Sequence, residues 1–102
     1  MTIITNETIA NGAKKFIKTF EQIEKIASTD GSKESALKLI QEVYPDFQFH
    51  NMNALLYGLQ FSDCISGLTF EKGQIVEPIL PVITDKAKAE IEAKKEIVAE
   101  YE

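Results

Sequence analysis

Residues 6–27 read NETIANGAKKFIKTFEQIEKIA, and this stretch decides the fold class. Ile9, Ala13, Phe16, Phe20, Ile23 and Ala27 recur at steps of three and four, and Ile17 and Ile26 widen the stripe. That is the period of an α-helix with one face turned to a core. Lys14, Lys15, Lys18, Glu21, Glu24 and Lys25 take the remaining faces. Thr5 or Asn6 supplies a side-chain oxygen to cap the free amides at its start. Gly12 costs a helix about 1 kcal/mol relative to Ala. It either permits a close helix contact or marks where the helix begins, and the second is the expectation.

Working outward, residues 28–32 read STDGS and break the helix, with Gly31 free to take a positive φ. A second helix is expected over 33–43, capped by Ser32 and burying Ala36, Leu37, Leu39, Ile40 and Val43. It ends at Tyr44, because the following Pro45 disfavours the helical conformation there. The two helices form an antiparallel hairpin. Phe47-Gln48-Phe49-His50 alternates like a short strand, and 52–61 reads as a short helix capped by Asn51, with Leu55, Leu56 and Leu59 inward. A buried strand is the alternative for 52–61. Ile65, Leu68, Phe70, Ile75 and Val76 then flank Glu71-Lys72-Gly73, a hairpin turn. Pro78 and Pro81 restrict the segment after it to an extended, edge-like conformation.

A last helix starts at a Thr84 cap, with Asp85 in its first turn. Its large apolar side chains are Ile91, Ile97, Val98 and Tyr101, a thin stripe among Ala, Glu and Lys. A Glu90–Lys94 pair supports it at i,i+4 spacing. The expected architecture is therefore α+β and mostly helical: an N-terminal helix hairpin, a short central helix, a small β-hairpin and a C-terminal helix. Residues 1–84 read as one compact domain, and 85–102 as a helix that docks loosely or projects.

Composition narrows the function. The chain has 102 residues, a net charge of −5, eleven lysines and no arginine. It lacks the side chain best suited to bidentate capture of phosphate or carboxylate. An acidic balance also repels nucleic acid and anionic membrane surfaces, so neither is an expected partner. No apolar run is long enough to span a bilayer, and the N-terminus lacks a signal peptide's basic and apolar regions. A cytoplasmic location is the expectation. One cysteine forms no intramolecular disulfide.

Catalytic and cofactor chemistry finds little material. His50 could pair with Asp46 or Asp63 and activate Cys64 or Ser62, but no local signature surrounds them. One His and one Cys fourteen residues apart do not make a zinc site, and the glycines lack phosphate-loop spacing. No enzyme activity, cofactor or metal is expected. Phe47, Phe49, Tyr57, Phe61 and Phe70 crowd one region, as core or as a docking patch.

The leading expectation is a small acidic interaction protein, an adaptor, assembly factor or inhibitor that binds another protein and can self-associate. Such chains are common among phage and mobile-element proteins. Its candidate contact residues are Ile91, Ile97, Val98 and Tyr101 on the last helix, with Tyr57 and Phe61 in the centre. An acidic mimic of nucleic acid is the alternative, weakened because its carboxylates are interleaved with lysines. A ligand-binding protein using residues 44–70 is the third.

Overall fold

The computed structural model describes residues 6–101. Four helices and two small antiparallel ladders occur in the order α1 (Asn6–Ile26), α2 (Lys33–Gln41), α3 (Phe49–Phe61), β1 (Ile65–Ser66), β2 (Thr69–Glu71), β3 (Gln74–Val76), β4 (Val82–Ile83) and α4 (Asp85–Tyr101). The fold is mostly helical α+β with a C-terminal helix, as the periodicities require. The body is elongated, 40 × 28 × 23 Å, because α1 alone rises about 30 Å.

α1 already includes Asn6, and Thr5, the other candidate cap, lies outside the described residues. The helix runs through Gly12 without interruption, so Gly12 does not mark its start. Nor does Gly12 admit a neighbour, since a Cβ there would meet nothing within 4 Å. The buried face is also rotated from the expected stripe. Ala27 is exposed, while Thr19 and Gln22 turn inward beside Phe20, Ile23 and Ile26. Both polar groups find partners, chiefly in α2 and the turn after it. Thr19 Oγ1 donates to the Lys15 carbonyl at 2.7 Å and lies 2.9 Å from the Tyr44 hydroxyl. Gln22 Nε2 donates to the Leu39 carbonyl at 2.9 Å and to Glu42 Oε2 at 2.6 Å. Pairing on this scale is what makes inward polar residues tolerable.

Ser32 caps α2 by accepting from the Ser35 N–H. A second acceptor arrives from far along the chain, as the Lys33 N–H donates to Glu77 Oε2 at 2.6 Å. Between the helices, the Ser32 N–H donates to Asp30, holding that carboxyl below its ordinary value. α3 starts two residues before the expected cap and absorbs Phe49 and His50, so no strand forms at 47–50. The reason is local: Asn51, at the third helical position, reaches back to accept from the Gln48 N–H at 2.9 Å. Met52 and Leu56 are fully buried, and Leu55 and Leu59 pack on the core.

The hairpin forms as expected, pairing Glu71 with Gln74 across Lys72 and Gly73. Both turn residues have positive φ, 52° and 79°, the conformation that two-residue hairpins demand. The β1–β4 ladder was not legible: Ile65 pairs with Ile83 and Ser66 with Val82. Thr84 caps α4, accepting from the Ala87 N–H at 3.2 Å and donating to the Asp63 carbonyl at 2.7 Å. α4 lies along α1, with Ala87 fully buried and Ile91 packed on the core. Lys94 does not pair with Glu90. Its ammonium sits 5.4 Å from the Phe16 ring centre, and α4 carries Lys95–Glu92 and Lys88–Asp85 ion pairs.

The loop between α1 and α2 is tied to the segment before β4. Gly31 has a φ of +80°, and its carbonyl accepts from the fully buried Ile79 at 2.7 Å. A Cβ at Gly31 would fall 2.8 Å from Pro78 Cβ and 3.3 Å from the Ile79 nitrogen. Gly31→Ala therefore combines left-handed strain with a backbone clash, and we expect a loss of about 2–3 kcal/mol. Urea denaturation checks this, with the midpoint falling at unchanged slope.

Candidate interaction surface

The candidate residues fall into two groups in space. Ile91, Ile97, Val98 and Tyr101 are all half-buried. With Ala87, Glu90 and Lys94 they recur at alternating steps of three and one or three and three, and this stripe is the side of α4 that packs on α1. Val98 and Lys95 border a shallow groove of about 280 Å³ against Ile17, Lys18 and Glu21 of α1. The thin stripe thus has an intramolecular cover.

Tyr57 and Phe61 lie elsewhere, on the outer face of α3. Phe61 is 84% exposed and Tyr57 47%. Their rings stack at 6.4 Å, and Tyr57 meets Phe70 of β2 edge-on at 5.1 Å. Edge-to-face and offset pairs are the preferred aromatic geometries, worth about 0.5–1.5 kcal/mol beyond the area they bury. With Gln60 they enclose a small groove of about 220 Å³. The aromatic cluster divides: Phe47 and Phe70 are half-buried and pack against the core, while Phe49, Tyr57 and Phe61 are exposed. Aliphatic side chains fill the centre instead, with Ile23, Ile26, Ile40, Met52, Leu56, Ile65 and Ile79 joined by Phe20.

Two amides on α3 hold the hairpin beside this face. Asn53 Nδ2 donates to the Gly73 carbonyl at 2.8 Å, and its Oδ1 accepts from the Ile75 N–H at 2.6 Å. One segment earlier, Gln60 Nε2 donates to the Leu68 carbonyl and Oε1 accepts from the Leu68 N–H, both at 2.9 Å. Each amide bonds backbone as a neighbouring strand would. A two-stranded hairpin is marginal alone, and this one buries only Ile75 fully. The two forks therefore set where Phe70 sits relative to Tyr57. Neither residue was flagged by periodicity.

The face has a signal that pattern analysis passed over. Residues 47–62 contain no Asp, Glu, Lys or Arg, in a chain with 26% charged residues. The exposed positions of α3 are Phe49, His50, Ala54, Tyr57, Gly58 and Phe61. All but Phe49 lie on one arc of the helix at 100° per residue. A water-facing helix normally carries charge there, so this one departs from the usual pattern.

The catalytic constellation does not assemble. His50 is exposed on the first turn of α3 and Cys64 is buried beyond its last turn, about 17 Å along the helix from it. Cys64 is placed by the helix terminus: its N–H donates to the Leu59 carbonyl at 2.8 Å after Asp63 takes a left-handed φ of 66°. His50 borders an open cleft of about 390 Å³ with Lys33, Phe49 and Gln74, and no carboxylate lines it. Among the described residues, no three His, Cys, Asp or Glu side chains converge on a metal-sized site, and no helix is long and apolar enough to cross a membrane. No protein-family model matches the chain, and no curated protein or solved structure resembles it significantly.

Asn53→Ala leaves the Ile75 N–H without its partner, and Ile75 is buried. We expect a loss of about 1–3 kcal/mol and faster hydrogen exchange confined to the hairpin. Amide exchange followed by NMR reads both effects, and an unchanged Ile75 rate would refute the assigned role.

Proposed function

We propose that this chain works as a non-catalytic protein-interaction module, an adaptor, assembly factor or inhibitor acting in the cytoplasm. Its contact surface is the face formed by Tyr57, Phe61 and Phe70. One observation carries the reading: a ring as large as Phe61 is 84% exposed, with the Tyr57 ring nearly parallel to it at 6.4 Å. Leaving such a side chain in water forgoes about 2 kcal/mol of burial, which a partner surface would recover. Rigid aromatic groups are also the side chains that contribute most where proteins bind each other.

The chemistry around the face agrees. No charge must be desolvated on α3, and the hairpin that carries Phe70 is fixed by Asn53 and Gln60 before any partner arrives. Preorganisation of this kind lowers the ordering cost of binding. The partner is a protein surface with apolar pockets; a net charge of −5 and the absence of arginine give nucleic acid little to hold.

A photoreactive phenylalanine analogue at position 61, expressed in source cells, tests the reading. We expect one discrete adduct, captured about tenfold less when Tyr57→Ala removes the neighbouring ring. The same analogue placed at exposed Lys38 should capture nothing above background. Equal labelling at both positions would overturn the assignment.

A further inference from the structure

α4 is fastened at one end only, and we infer that residues 92–101 form a strap that opens and closes over α1 while the rest of the chain stays folded. The strap involves none of Tyr57, Phe61 and Phe70, so it stands apart from the interaction reading.

The first turn of α4 is tied to the body. Thr84 Oγ1 lies 2.7 Å from the Asp63 carbonyl and 3.0 Å from the Cys64 carbonyl. Lys86 Nζ donates to the Ser62 carbonyl at 2.6 Å. Ala87 is fully buried, and Ile91 packs on the core. Beyond Ile91 the anchoring stops. No residue from 92 to 101 is buried; Lys94, Ile97, Val98 and Tyr101 are half-buried and the others are exposed. Among the described residues, the polar contact of this segment with another element is the Lys94 ammonium above the Phe16 ring, since Lys95–Glu92 lies within α4.

The seam beneath the segment is also poorly closed. The groove of about 280 Å³ between Val98 and Ile17 leaves their apolar surfaces only partly in contact. Lys14 and Lys18 of α1 and Lys95 of α4 line it with one carboxylate, Glu21, a rim that places like charges across the seam. The last turn of α4 contains Glu100 and no basic residue, the sign of charge that the helix dipole disfavours at that end.

Undocking and unwinding are coupled here. Most helical stability in a folded chain comes from the packed face rather than from propensity. Residues 96–101 therefore lose their helical hydrogen bonds together when they leave α1, while Thr84, Lys86 and Ala87 hold the first turns in place. The open form uncovers Phe16 and Ile17 of α1, apolar surface that the closed form conceals. Anything that binds this stripe displaces the strap, and by linkage holds it open.

Amide exchange of the intact chain by NMR, repeated at urea concentrations below its unfolding transition, tests this. We expect the amides of 96–101 to share one opening. They should exchange at least about a hundredfold faster than those of Ile23 and Leu56, with a much shallower urea dependence. The amides of Lys88 and Ile91 should follow the core. Glu100→Lys should slow the distal amides about two- to fivefold by reversing the charge at the helix end. Distal amides that match Ile23 and Leu56 in rate and urea slope overturn the inference. So does protection that falls smoothly from 92 to 101, which is fraying of a helix end, or a distal rate that Glu100→Lys leaves unchanged. The position-61 adduct is independent of all these outcomes, so the two readings fail separately.

Discussion

The structure depends on α1 having a buried arc too wide for any single neighbour. Ala10, Ala13, Phe20, Ile23 and Ile26, with Thr19 and Gln22, span roughly two-thirds of its circumference at 100° per residue. A helix–helix contact covers only a stripe. Three elements are needed, and the chain supplies them: α2 on the Thr19 and Gln22 flank, α4 on the opposite flank, and the β4 region near its C-terminal end. The order of elements follows from that demand. α4 returns along α1, which is why one side of a helix with so few large apolar residues is nonetheless half-buried.

Two consequences propagate outward. With α1 flanked, the remaining core space is filled by the aliphatic side of α3 and by Ile65 and Ile79. Gly31 is the point where the loop after α1 comes close enough to Pro78 and Ile79 to close that space. The other consequence concerns α3, whose Met52, Leu56 and Leu59 face inward. A helix with aliphatic residues on one side and aromatics on the other presents one of them to water. The aromatics are outside, and the hairpin covers only part of them.

Helices were legible wherever apolar residues recur with caps at their ends, as at Ser32 and Thr84. The hairpin was legible because Gly73 stands where φ must be positive. The features that periodicity missed have a common physical origin: interactions between side-chain amides or hydroxyls and backbone far away in sequence. Gln22, Asn53 and Gln60 look like ordinary surface residues in a linear reading, yet each is bonded to a segment 8 to 22 residues distant. The two-residue β1–β4 ladder is invisible for the same reason, since Pro81 permits the pairing but nothing local requires it. Of the candidate site, Tyr57 and Phe61 were picked by type. Phe70 was read as hairpin material and as one of five crowded aromatics, core or docking patch, because hairpin placement decides whether it joins Tyr57 and Phe61.

The charge-free run from 47 to 62 carries a constraint that the fold does not explain. Buried positions within it, such as Met52 and Leu56, exclude charge for the usual reason. The exposed ones do not, because a lysine at Ala54, Gly58 or Phe61 would reach water freely. Helix propensity argues against Gly58 and favours Lys over Phe at position 61. Solubility argues against both. Folding therefore leaves these positions open to the Lys and Glu used on the exposed faces of α1 and α4, and α3 uses neither. That departure from the chain's own composition, against propensity and solubility together, is what motivates the interaction proposed for this face.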